Sequence, residues 1–154
     1  MFTIKPIAAV SNARLTPEDD YWGQVVSIIR LADYLPDESL AEIESFSHLE
    51  VIFYFDQVED DKIQYGSRHP RNNPAYPKAG IFAQRGKNRP NKLGLSIVKL
   101  LKREGRELFV EGLDAVDGTP IIDLKPVMRE FLPMEKIRQP DWATDLMQHY
   151  WKVK

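Results

Sequence analysis

Apolar residues recur along the chain in short runs bounded by proline, glycine and charged turns, a spacing that predicts many short strands and little helix. Residues 4–10 are apolar around Pro6, which suits an edge strand or a strand start. Residues 23–31 (GQVVSIIRL) are rich in β-branched side chains and suit a core strand. Residues 49–55 (LEVIFYF) form the most apolar candidate, which stops at the polar pair Asp56-Gln57. Residues 95–101 and 107–110 read as a hairpin turning at Arg103-Glu104-Gly105-Arg106, and residues 121–124 add one more strand.

Helical spacing is confined to two places. In residues 36–46, Leu40, Ile43 and Phe46 share a face, and Ser39 with Glu42 matches a capping box, which predicts a short helix. Trp142, Leu146 and Tyr150 recur in a terminal helix starting near Asp141, a stripe that reads as packing or a dimer contact. Residues 64–78 hold three prolines and no periodicity, so they form a long loop, and long loops within compact domains are often functional. Six or seven strands against two short helices predict a mainly β fold, a small antiparallel barrel with short helices. The expectation is one domain over residues 1–154, with 131–154 as a C-terminal tail and helix.

Composition narrows the class. An apolar fraction of 43% suits a globular chain, and no apolar run approaches the roughly 20 residues that span a bilayer. The N-terminus lacks a signal-peptide pattern, so the cytoplasm is the expected location. The absence of cysteine removes thiol nucleophiles and thiolate metal sites, and His48, His69 and His149 have no metal-ligand spacing. No metal is expected.

The net charge of −2 conceals a strong asymmetry. Residues 1–61 hold 3 bases and 13 acids, residues 62–106 hold 12 bases and 1 acid, and residues 107–154 hold 6 bases and 9 acids. The cationic middle either pairs with the acidic first third or forms an anion-binding face for nucleic acid or a phosphorylated ligand.

Two polar, glycine-punctuated clusters stand between the apolar runs of this region. Arg85-Gly86-Lys87-Asn88-Arg89-Pro90-Asn91 cannot be a helix interior because of Pro90. Gly112-Leu113-Asp114-Ala115-Val116-Asp117-Gly118-Thr119-Pro120 ends in a strong turn signal. A hairpin between them would bring both clusters to one end of a small sheet. No GxGxxG or P-loop pattern occurs, and neither Ser47 nor Ser96 has the flanks of a nucleophile elbow. Two readings of the charged loop residues remain. Arg85, Arg89, Asp114 and Asp117 could stitch two hairpins as surface ion pairs. They could equally bind a zwitterionic, hydroxyl-rich molecule, a guanidinium taking a carboxylate and a carboxylate accepting from a diol.

Phe82-Ala83-Gln84-Arg85, Arg89-Pro90-Asn91 with Leu93-Gly94-Leu95-Ser96, and the run from Leu113-Asp114 through Asp117-Gly118-Thr119-Pro120 to Lys125-Pro126 resemble the blocks of the TsaA-like (TrmO) family. Phe46-Ser47-His48-Leu49 is similar to a fourth block, F-S-H-L. The resemblance implies a small β-barrel, usually a homodimer, that binds S-adenosyl-L-methionine without a Rossmann fold. It also implies methylation of N6 of N6-threonylcarbamoyladenosine at position 37 of tRNA. Carried over by position, Asp56, Gln57, Arg85, Leu95, Glu111, Gly112, Leu113 and Asp114 would hold the cofactor. Arg89, Asn91, Asp117 and Lys125 would face substrate or support the fold. The catalytic base stays open between Asp114, Asp117 and neither.

The N-terminal loop departs from the family pattern. Members that act on tRNA usually carry a P-R-Q-like loop, whereas this chain has Asn12-Ala13-Arg14 followed by Glu18-Asp19-Asp20-Tyr21-Trp22. Two other readings therefore stand beside tRNA methylation: transfer to another acceptor, and a non-catalytic cofactor-binding module.

Overall fold

A computed structural model describes all residues, 1–154. Six strands close into a barrel in the order β1-β2-β7-β6-β3-β8, with every neighbouring pair antiparallel. They are β1 (Ala8–Ser11), β2 (Val26–Leu31), β3 (His48–Tyr54), β6 (Leu93–Glu104), β7 (Glu107–Glu111) and β8 (Pro120–Pro126). Pairing of Ala8 with Ile121 closes the cylinder and removes the free sheet edges. Two further short strands, β4 (Ser67–Arg68) and β5 (Ala79–Gly80), pair with each other outside the barrel. The 64–78 stretch is thus an ordered excursion held by its own two-stranded sheet and by a single turn at Pro70–Asn72.

Alternation along the strands fills the interior. Leu49, Val51 and Phe53 of β3 point inward with Ile29 and Leu31 of β2, Leu108 and Val110 of β7, and Ile121 of β8. Each such fully buried side chain contributes about 1.5–3 kcal/mol. β6 is longer than its apolar pattern suggests because an irregularity between Leu100 and Lys102 lets it bend and continue to the turn at Gly105, which adopts φ +60°. At its other end Gly94 lies opposite Phe53. A Cβ there would come within 2.5 Å of the Phe53 ring, so the close approach requires glycine.

The helix expected over residues 36–46 does not form. Two separate 3-10 turns, Asp37–Leu40 and Ile43–Ser45, replace it, divided by Glu42 in the left-handed region at φ +69°. Ser39 donates its hydroxyl to the Pro36 carbonyl, and Glu42 accepts from Ser45, so the capping box is absent. The cause is tertiary. Arg103 donates to the carbonyls of Asp37 and Leu40, acceptors that a continuous helix would have used internally. The terminal helix does form but is short: α1 spans Asp141–Leu146, and the chain then turns through Tyr150.

Candidate functional site

Two polar positions interrupt the inward alternation at one end of the barrel, and both belong to hydrogen-bond networks. Ser27, fully buried, accepts from Asn12 Nδ2 at 2.9 Å, and that amide also donates to the Ala115 carbonyl at 2.8 Å. Ser96, on β6, donates to Asp114 Oδ1. Buried polar groups must be paired, and these pairings fix the Gly112–Pro120 loop to the barrel rim. Gly112 and Gly118 adopt φ +87° and +82°, and the Asn12 amide donates to Asp117 Oδ1 at 3.0 Å. Thr119 donates its hydroxyl back to Val116 at 2.7 Å.

The other predicted cluster is fastened beside it. Gln84 donates to the Arg68 and Ala79 carbonyls at 3.1 and 2.7 Å, and Arg89 donates to the Gln84 carbonyl at 2.7 Å. Arg85 reaches across to the Leu95 carbonyl on β6. Lys92, buried, donates to the Val58 carbonyl at 2.7 Å and to Asp60 at 2.6 Å, which ties the loop after β3 to the same rim. The hydrogen bond from Lys92 holds the Asp60 carboxyl below its ordinary range, and the same bond raises the Lys92 ammonium.

Between these loops lies a cavity of about 1900 Å³, larger than the roughly 300–1,000 Å³ of a typical small-molecule pocket. Asp56, Gln57, Arg85, Leu95 and Asp114 all line it, as does Arg89. Its apolar floor includes Phe53 and Phe55, whose rings meet edge to face at 5.2 Å. The loop from Arg85 and the loop bearing Asp114 therefore converge on one space, although those residues are 29 positions apart in sequence.

Other residues singled out from sequence lie outside the cavity lining. Leu113 is wholly buried in the barrel core, and Gly112 donates its amide to the Val25 carbonyl at 3.0 Å. Glu111 ends β7, facing Val26 and Lys99 across the ladder. Asn91 sits on the turn before β6 at φ +63°, and Asp117 holds the Asn12 backbone. Lys125, on β8, is 3.3 Å from Asp123 and lines a second, smaller cavity of about 370 Å³ with Leu40 and Phe46.

Sequence reasoning missed Tyr150 and Arg71. Tyr150 donates its hydroxyl to Asp114 Oδ2, opposite the oxygen taken by Ser96. Its pKa is raised well above the ordinary tyrosine range, first by burial and then by the Asp114 charge, so the phenol stays a neutral donor. The stripe Trp142, Leu146 and Tyr150 was legible as a stripe, but it faces the cavity. Arg71 pairs with Asp20 at 2.9 Å and joins the acidic N-terminal loop to the cavity rim.

The cationic block divides by its partners. Arg71, Lys92, Arg103 and Arg106 pair with acids of the first third: Asp20, Asp60, Glu44 and Asp37. Lys62, Arg68, Arg85, Lys87 and Arg89 line the cavity and make no ion pair. Pairing with the acidic first third therefore accounts for one part of the block, and the other part is left facing the cavity without carboxylate partners. No helix is long and apolar enough to cross a membrane.

Comparisons with known proteins bear on the family and the fold. The tRNA-methyltransferase O N-terminal domain matches residues 11–131. A human tRNA (adenine(37)-N6)-methyltransferase is 35% identical over 105 residues, covering 68% of this chain and 23% of its own. An S-adenosyl-L-methionine-binding protein of Archaeoglobus fulgidus is 33% identical over 129 residues, covering 79% of this chain and 86% of its own. The crystal structure of TrmO from Pseudomonas aeruginosa superposes with a TM-score of 0.69 at 25% identity, over 90% of this chain and 61% of that one. The chain spans about a quarter of the length of the tRNA methyltransferases it matches and most of the length of the archaeal binding protein. From the barrel, the converging loops and the matched segment together, the chain belongs to the TsaA-like (TrmO) family through its tRNA-methyltransferase O N-terminal domain.

Proposed function

We propose that this protein binds S-adenosyl-L-methionine in the large cavity and methylates N6 of N6-threonylcarbamoyladenosine at position 37 of tRNA. The observation that carries the reading is the convergence of Arg85 and Asp114 on one cavity whose rim keeps unpaired cations. The donor set suits the cofactor. A guanidinium takes a carboxylate, a carboxylate and the Leu95 carbonyl accept from amine or hydroxyl groups, and the half-buried Phe55, backed by the buried Phe53 ring, offers apolar surface to a base. When bound, the cofactor supplies a methyl group already activated on a sulfonium.

The protein's contribution is alignment. Arg85 and Asp114 would orient the donor from two sides, and a cavity of about 1900 Å³ leaves room for an acceptor base beside it. Lys62, Lys87 and Arg89 would meet the anticodon-loop phosphates, and exposed Phe82 offers a stacking face. Asn91, Asp117 and Lys125 would support this arrangement from outside the cavity lining. A homodimer in the cytoplasm belongs to the same proposal, with Leu93, Leu95 and Ile97, which also line the cavity, and Leu101 exposed along one face of β6 as the apolar surface to be covered, so that a partner would border the cavity.

Purified protein incubated with labelled cofactor and tRNA carrying the threonylcarbamoyl group should yield the N6-methyl nucleoside at position 37. Cofactor binding without label in tRNA would reject the acceptor. One observation favours a different acceptor on the same cofactor site: in the acidic loop at residues 18–22, where the P-R-Q-like loop is expected, Asp20 is taken by Arg71 and Tyr21 and Trp22 are engaged with the chain's own C-terminal segment. Labelling of a free nucleoside or small metabolite in preference to tRNA would select that reading.

A further inference from the structure

The segment after α1 lies outside the matched residues 11–131, yet it builds one side of the cavity. Several independent contacts hold it there. The amides of Tyr21 and Trp22 donate to the His149 and Tyr150 carbonyls at 3.2 and 2.8 Å, and the Tyr21 and His149 rings stack. Tyr76 donates to Asp145, at the C-terminal part of α1, at 2.5 Å. Trp22 is buried, and Gly23 sits so close to Trp151 that a Cβ there would overlap the Trp151 carbonyl oxygen. A segment fixed at the acidic loop, at Tyr76 and at Asp114 is a wall.

We propose that Tyr150 is a positioning residue of the ligand site and acts through Asp114. The inference rests on the reading of this cavity as the cofactor site. A carboxylate offers about four acceptor directions, and Ser96 and Tyr150 take one on each oxygen. The two hydroxyls stop the carboxylate from rotating and leave the remaining directions for ligand donors entering the cavity. Such a group is oriented before the ligand arrives, which removes an ordering cost from binding. The wall also accounts for the acidic loop. Its backbone amides at Tyr21 and Trp22 hold the succession of turns after α1 that delivers Tyr150.

Calorimetry with S-adenosylhomocysteine tests this on the full chain. Tyr150→Phe keeps the ring and removes the hydroxyl. Affinity should fall about 5–15-fold, a part of the roughly 10–150-fold that a lost hydrogen bond to a charged group is worth, because the hydroxyl acts through Asp114 and not on the ligand directly. Gly23→Ala, which displaces the wall at Trp151, should cause a similar loss, and adding Tyr150→Phe to it should change affinity less than about twofold. Full additivity of the two substitutions would overturn the role through Asp114. Unchanged affinity in Tyr150→Phe would overturn it as well, and tighter binding would show that the hydroxyl competes with the ligand, which also overturns it. If the unsubstituted protein fails to bind S-adenosylhomocysteine, the cofactor reading itself fails and this inference falls with it. Binding by the unsubstituted protein with an unaffected Tyr150→Phe variant removes only the inference.

Discussion

At the hairpin end of β6, Arg106 donates to the Ala32 and Leu35 carbonyls at 2.6 and 2.9 Å and pairs with Asp37, while Arg103 reaches the Leu40 carbonyl and Glu44, each at 3.2 Å. At the opposite end of the same strand, Arg85 and Arg89 meet only carbonyl oxygens, and Arg68 has a buried Nε with no partner. All belong to one cationic stretch of sequence. The difference lies in what the fold places opposite each guanidinium. Arg106 makes three side-chain hydrogen bonds and Arg103 four where loops cross the hairpin, whereas Arg85 makes one and Arg89 two where the barrel opens into the cavity. A run of like charge can therefore be structural at one end of a strand and cavity-facing at the other.

Exchanging the two sets should break the comparison most visibly. Arg85→Ala should abolish S-adenosylhomocysteine binding by calorimetry while the melting temperature stays close to that of the parent. Arg106→Ala should do the reverse, leaving affinity intact and costing about 2–3 kcal/mol in urea denaturation, since two loop carbonyls lose a charged donor. Retained binding in Arg85→Ala would remove that residue from the site.

Gly94→Ala probes the floor of the cavity end. The added Cβ must push the buried Phe53 ring aside, and about 1–3 kcal/mol of stability should be lost. A stability equal to the parent would show that the ring has room to move.

The smallest effect is expected from pH. Because the folded-state value of Asp60 is lowered, its stabilising contribution is present above the ordinary carboxylate value and lost as pH falls through the lowered one. Lys92 is raised, so its contribution is present below the ordinary lysine value and lost as pH rises through the raised one. The raised Tyr150 value acts in the same alkaline direction, with stability declining once unfolded tyrosines begin to ionise. The Asp60 side chain is 91% exposed, so water screens this pair and the acid-side loss should be slight. Urea midpoints for the parent and Asp60→Asn should differ at neutral pH and converge in acid. A constant difference across that range would detach the effect from ionisation.

Most of the barrel was legible in the chain because strand signals are local. Alternation in residues 49–55 and β-branching in residues 23–31 each name a strand without reference to anything distant. The 36–46 segment misled because its apolar spacing and capping pair are equally local, whereas the donors that dismantle the helix come from Arg103, more than sixty positions away in sequence. Cluster residues such as Arg85 and Asp114 stood out through their turn chemistry and family motifs. Tyr150 did not, since its partner is thirty-six positions away and nothing near it signals a site.

The sequence by itself determined the six strands of the barrel, though not the small β4–β5 pair, together with the positions of the glycine-bearing turns and the identity of the charged groups, because those depend on steric and hydrophobic preferences within a few residues. Tertiary structure decided which arginines remained without carboxylate partners, where the two loops met, and that the C-terminal segment became a cavity wall. Each of those outcomes depends on distances between residues far apart in the chain, and only barrel closure sets such distances.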